Sequence, residues 1–189
     1  MTQTVSEIHE KVLRLVGQVF TLRETKNKGL SGQFLEDLLG IPHTSNCLDC
    51  SDGELKLFPV KKLKTGMFVP KESIAVTMLS PDELRTKDFN SSKCCKKMNR
   101  MLLVPYYRTG DIIHFMSPKI IDRACAEFHD VYATIESDYH VIQRQYLETG
   151  ILQSKTGTLL QNRTKGAGHG TTSRAFYLRP AFIKRCLRL

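Results

Sequence analysis

The sequence predicts a mixed α/β or α+β domain, with a central mixed sheet flanked by helices. Three observations carry this. Apolar residues Val5, Ile8, Val12, Leu13 and Val16, and then Phe34, Leu35, Leu38 and Leu39, recur with helical spacing. The runs 54–60, 73–79, 101–107 and 111–116 are short, apolar and mostly rich in residues that suit a pleated surface. A long periodic stretch, 118–148, follows them and reads as a third helix. Helices and strands interleaved in this way need layers that bury one another, which is the mixed class.

Each element has a local reason. The first helix spans 5–20, with Ser6 as its expected N-cap. A polar loop, 21–28, leads to a second helix, 31–39, which Gly40 stops and Pro42 follows. A loop, 43–51, precedes the strand 54–60. The stretch 61–71 is a connection turning at Gly66, and 80–92 is a loop that can hold a short helical turn. Arg108-Thr109-Gly110 joins strands 101–107 and 111–116 as a hairpin. Pro118 suits the first turn of the long helix and Gly150 its end. Residues 151–161 read as a second hairpin turning at Gly157, 162–174 as a glycine- and lysine-rich loop, 175–178 as a short strand, and 180–189 as a basic helix.

Composition narrows the function classes. The chain has 189 residues and an apolar fraction of 41%, enough for one well-buried core. No apolar run is long enough to span a membrane, and the first residues have no signal-peptide pattern, so a cytoplasmic protein is expected. Lys and Arg number 28 against 19 Asp and Glu, a net charge of +9. The basic residues cluster at 61–64, 93–100, 163–165 and from 174 onward, which favours a polyanionic partner over evenly spread solubility charge. Of the six cysteines, Cys47, Cys50, Cys94 and Cys95 offer four sulfurs to zinc. Adjacent cysteines fit zinc spacing poorly, so reduced thiols are the first expectation and zinc the second. The histidines form no ligand pattern, and no phosphate loop or nucleophilic serine motif is present.

The stretch Asp52-Gly53-Glu54-Leu55-Lys56 carries the chemistry. Residues two apart on a strand share a face, so Glu54 and Lys56 lie side by side while Leu55 and Leu57 turn to the core. An acid beside an ammonium, close to a second acid, suits metal-assisted phosphodiester hydrolysis. By itself the triplet is common enough that an ordinary amphipathic strand with a solvated face is the better description.

Further blocks separate the two. Asn27-Lys28-Gly29-Leu30-Ser31-Gly32-Gln33-Phe34-Leu35-Glu36-Asp37-Leu38-Leu39-Gly40 resembles the KGxxGxxLExxLG helix of the MutH-type endonucleases. Gly53-Glu54-Leu55-Lys56 with Pro59 resembles their GxELKxxP strand, and Lys61-Lys62-Leu63-Lys64-Thr65-Gly66 the segment that follows it in GATC-cutting restriction enzymes. Lys97-Met98-Asn99-Arg100-Met101-Leu102-Leu103-Val104-Pro105 is similar to KxxRVLxxP. Arg163-Thr164-Lys165-Gly166-Ala167 and Arg174-Ala175-Phe176-Tyr177-Leu178 resemble the family's DNA-contacting loop and RxFYL strand. Single blocks are unspecific, but their shared order from residue 27 onward is specific.

The resemblance implies a restriction-endonuclease-like, PD-(D/E)xK fold and Mg2+-dependent cleavage of double-stranded DNA, at GATC or a related short palindrome. The chain length suits one domain, so a single endonuclease domain is expected over 1–189: an N-terminal helix and loop at 1–26, a catalytic core at 27–116, and the long helix, hairpin and C-terminal DNA-contacting segment at 117–189. The resemblance matches Glu36, Glu54, Lys56 and Lys97 to the catalytic set and Arg163, Lys165 and Tyr177 to DNA contacts. One position departs: the family's aspartate seven residues before the glutamate is Cys47 here. Asp49 and Asp52 are the nearby candidates. Asp49, across the expected turn, is preferred as metal ligand with Glu54 and Glu36, because Asp52 would share the strand face of Glu54. The implied partners are DNA, a second copy on a palindrome or a monomer nicking each strand, and an activating protein in a repair role. The alternative is a DNA-binding module that keeps the fold without catalysis. Restriction and repair are both open.

Overall fold

The computed structural model describes residues 3–23, 27, 29–42, 47–165 and 173–187. It is mixed α/β, as expected, and the chain divides into two compact units: Met1–Glu72 with Arg100–Asp122, and Ser73–Asn99 with Arg123–Arg188.

The first unit holds a mixed sheet. Its strands are β1 (Phe20–Thr21), β2 (Glu54–Lys62), β3 (Phe68–Pro70), β5 (Arg100–Thr109), β6 (Ile112–Phe115) and β7 (Lys119–Asp122), in the order β1-β6-β5-β2-β3, with β7 on β5. The two central strands, β2 and β5, run parallel, from Glu54 opposite Met101 to Val60 opposite Tyr107. Met101, Leu102, Leu103 and Val104 are all fully buried. A parallel strand covered on both faces reads as a continuous apolar run, not an alternating one.

Helix α1 (Val5–Leu15) buries Val5, Ile8 and Val12 on one stripe. Its N-cap is Thr4, not Ser6: the Thr4 hydroxyl and the Glu7 carboxylate complete a capping box. The helix ends at Leu15 rather than 20, because Gly17 turns with φ +83° and Phe20 joins the sheet edge beside Ile113. Helix α2 (Leu30–Leu39) ends at Gly40 in the left-handed conformation, as expected. The apolar core joins α1 and α2 to Cys50, Leu55, Leu102, Val104, Ile113 and Phe115.

The start of β2 is held by a close approach. A Cβ on Gly53 would lie 2.4 Å from the Arg100 carbonyl oxygen and 2.6 Å from Val5 Cγ2. Gly53→Ala is therefore expected to destabilise the fold by about 1–3 kcal/mol, the range for overpacking, read as a lower urea midpoint.

The second unit has its own antiparallel sheet, β4 (Ile74–Met78), β9 (Arg174–Leu178) and β8 (Leu160–Thr164), in the order β4-β9-β8. The expectation that 73–79 joins the central sheet is corrected: its ladder partner is β9. Strand propensity marks a strand but not its neighbour. The 80–92 region and its sequel form α3 (Pro81–Thr86) and α4 (Lys93–Met98), capped by Ser80 and Ser92.

The long helix also begins later than its periodicity suggests. Residues Lys119–Asp122 are β7, paired with the first half of β5, and Ala126–Phe128 is a single 3-10 turn. Helix α5 covers His129–Thr149 and ends at Gly150 with φ +68°. The buried β5 needs a hydrogen-bonding partner along that half, and Ile120 and Ile121 supply a β-branched one. The second hairpin is likewise displaced. It joins β8 to β9, with Leu160 opposite Leu178 and Thr164 opposite Arg174, while 151–159 is irregular. Residues 162–164, expected in a loop, are strand; 166–172 lie outside the described residues. Helix α6 (Pro180–Cys186) closes the unit.

The irregular segment is fastened by Asp138 of α5. Its Oδ1 accepts the Thr158 N–H at 2.7 Å, and its Oδ2 accepts those of Leu159 and Leu160 at 2.7 and 2.8 Å. The turn at Gly157 (φ +90°) has no room for a side chain, since a Cβ would fall 1.9 Å from the Leu160 carbonyl oxygen.

Candidate active site

The site is built on the entry to β2. The Cys50 N–H donates to the Gly53 carbonyl at 2.9 Å and closes a turn. Asp49 reaches across this turn, its Oδ2 accepting the Leu55 N–H at 3.1 Å. Its carboxylate is thereby held beside the backbone that carries Glu54. Strand alternation then sends Leu55 into the α1–α2 core and turns Glu54 and Lys56 to the opposite face.

That face is not a solvated one. Glu54 is 1% exposed, and Lys56 Nζ donates to its Oε1 at 2.6 Å. The lysine side chain keeps 20% of its surface, so the pair is open from the lysine side. Taking a carboxylate out of water is costly even with an ammonium partner, and an ordinary strand face has no need of it.

Asp52 faces elsewhere. Its Oδ1 accepts the Val5 N–H at the start of α1 at 2.7 Å, and its Oδ2 accepts Arg100 Nη1 at 2.6 Å. Both oxygens therefore serve the packing of α1 and β5. The sequence separations are 47 and 48 residues, which is why a local reading could not assign them.

The concentration of carboxylates is felt by Cys50. Burial, and then the charges of Asp49, Asp52 and Glu54, push its thiol from the ordinary 9.0 up to about 12. The unfolded chain gives up this proton first. The contribution to stability is intact below about pH 9 and is lost as pH rises towards about 12. Urea midpoints measured across that range should fall, and Cys50→Ala should flatten part of the slope.

Glu36 lies half-buried on α2, which packs on β2. Among the described residues no three His, Cys, Asp or Glu side chains converge to hold a metal, so Glu36 does not form such a cluster with Asp49 and Glu54. The donor set still fits Mg2+. The ion prefers oxygen ligands, commonly takes one or two protein carboxylates, and keeps several waters. The sulfurs are distributed differently: Cys47 and Cys50 belong to the first unit, Cys94 and Cys95 to the second. Burial raises the Cys94 and Cys95 thiols, favouring the protonated form over the thiolate that zinc requires.

The remaining predicted residues belong to the second unit. Lys97 is half-buried on α4, where Cys94, Cys95 and Met98 face inward. Arg163 is exposed on β8, its guanidinium 5.9 Å from the centre of the Tyr177 ring on β9, so the structure brings these two together. Lys165 is exposed just past β8, and its N–H donates to the Ser173 carbonyl at 2.9 Å, closing the base of the loop.

Two residues escaped the sequence reading. Arg100 stood within a quoted block without a role. Asp138 had a legible signal: it occupies an apolar-phase position of α5, among buried Val131, Ile135, Tyr139 and Ile142. An acid at such a position needs a partner.

No curated protein matches the chain. Residues 45–138, which include Asp49, Glu54, Lys56 and Lys97, match the family model of the DNA mismatch repair enzyme MutH, a match that supports a MutH-type nuclease family for this chain.

Proposed function

We propose that the chain is a Mg2+-dependent, sequence-specific endonuclease that hydrolyses phosphodiester bonds of double-stranded DNA at GATC or a related short palindrome. The observation that carries this is the buried Glu54 carboxylate joined to Lys56 at 2.6 Å on the first residues of a central strand. Asp49 and Glu54 would hold the metal, with Glu36 in its surrounding water shell. Bound Mg2+ supplies charge neutralisation at the phosphoryl oxygens and a more acidic water. Lys56 positions that water and stabilises negative charge as it develops. Lys97 serves as a second cation for the scissile phosphate. Arg163, Lys165 and Tyr177 contact DNA, and base-edge contacts from the β8–β9 loop select the sequence. The net charge of +9 supplies salt-dependent affinity for the phosphate backbone.

On a palindrome the chain acts as a DNA-induced dimer, or as a monomer nicking each strand in turn, in the cytoplasm. Among the described residues no helix is long and apolar enough to cross a membrane. The test is digestion of a defined plasmid, with and without adenine methylation at GATC and with and without Mg2+, followed by end sequencing. Cleavage by the protein alone indicates a restriction role, and cleavage only with an added activating protein indicates repair. Intact binding with no cleavage under any condition would instead support a DNA-binding module.

A further inference from the structure

The residue pair that the proposed chemistry leaves out is Asp52–Arg100. Arg100 is the first residue of β5, and Asp52 stands two residues before Glu54. The guanidinium donates from Nη1 to Asp52 Oδ2 at 2.6 Å and from Nη2 to Ser6 Oγ at 2.9 Å, and its Nε lies 3.4 Å from Asp122 Oδ2 on β7. The other oxygen of Asp52 receives the Val5 N–H at 2.7 Å. Two ion pairs sharing Arg100, with the hydrogen bonds to Val5 and Ser6, therefore tie the turn before β2 to α1, β5 and β7. Within that turn Gly53 is pressed against the Arg100 carbonyl, and Asp49 is hung from the Leu55 N–H.

We propose that Asp52 and Arg100 are positioning residues for the metal site, a clasp that fixes the turn 49–53 so that the carboxylates of Asp49 and Glu54 present their oxygens together. The physical reason is the site's small number of protein ligands. With two carboxylates and no third among the described residues, affinity depends on how well those two are preorganised. The clasp supplies that order from outside the site. Arg100 and Asp52 are 29% and 32% exposed, so the pair is only partly dehydrated. Its contribution to global stability is small relative to its effect on local geometry.

The inference rests on the nuclease reading, and its test separates the two. Mn2+ binding to the whole protein is followed by the loss of the free-ion electron paramagnetic resonance signal, for the natural chain, Asp52→Asn, Arg100→Gln and Asp122→Asn. Asp52→Asn keeps an oxygen for the Val5 N–H and loses the ion pair. Coulomb's law alone makes the two clasp variants differ in sign: removing the Asp52 charge weakens cation binding, and removing the Arg100 charge tightens it. The clasp makes both weaken it, by about 10- to 100-fold, the usual range for groups that orient metal ligands. Asp122→Asn, which alters the same guanidinium away from the turn, should weaken binding clearly less than either clasp variant. Urea midpoints accompany each titration, and the neutral Arg100→Met replaces Arg100→Gln if the latter does not fold.

Tighter or unchanged Mn2+ binding by the Arg100 variant overturns the proposal. So does an Asp122→Asn effect equal to the others. If the natural chain itself binds no Mn2+, and Glu54→Gln changes nothing, the metal-site reading fails and the clasp with it.

Discussion

Replacing Glu54 with glutamine is expected to reduce DNA cleavage by about three orders of magnitude, because metal charge stabilisation contributes several kcal/mol and each 1.4 kcal/mol is tenfold in rate. The change is close to isosteric and leaves an amide oxygen for Lys56 Nζ, now 2.6 Å from Oε1. What it removes is the anionic donor. Because the basic surface supplies backbone affinity independently of this carboxylate, DNA binding in Ca2+ should stay within a few-fold of the natural chain. Single-turnover cleavage and a binding isotherm on the same duplex check the two halves. A variant that cuts at the natural rate would show that Glu54 is a buried structural acid and that the site lies elsewhere.

Asp138→Ala is expected to produce the largest loss of stability, about 3–5 kcal/mol, since each buried donor left without a partner costs about 1–3 kcal/mol. Three N–H groups are at stake, those of Thr158, Leu159 and Leu160, at 2.7, 2.7 and 2.8 Å. Leu159 and Leu160 are buried, so water cannot readily replace the carboxylate there. Thr158 is exposed and can recover a partner from solvent, which keeps the estimate below the full threefold sum. Asp138→Asn should cost less, because its single carbonyl can still serve the two leucine N–H groups while its amide faces that of Thr158. Urea unfolding of both variants, with unchanged slope, checks the order. If Asp138→Ala is as stable as Asp138→Asn, the three hydrogen bonds do not hold the segment.

Asp138 shows where a local signal stops. Its phase on α5 placed it among buried residues, but its partners are 20–22 residues away, beyond the reach of any helical wheel. Asp52 shows the same from the other direction. Its position two residues before Glu54 suggested a shared strand face. The structure instead places it ahead of the strand, bound to groups 47 and 48 residues distant.

Local order explains what could be read in the chain. The α2 stop at Gly40, the α5 stop at Gly150 and the turn at Gly110 depend on one residue's backbone freedom, and each was legible. The strand carrying Glu54 and Lys56 was legible for the same reason, since period-two alternation is a property of neighbours. Partner choice was not. Residues 119–122 continued a helical pattern but became β7, because the two-sided burial of β5 demanded a ladder partner. Residues 74–78 had strand character that any sheet could use, and β9 took them. The residues of the proposed nuclease site could thus be named from the sequence. Tertiary structure decided that Glu54 is buried and that Asp52 is spent on Arg100 and α1, because hydrogen bonding and burial are satisfied between segments that only folding brings together.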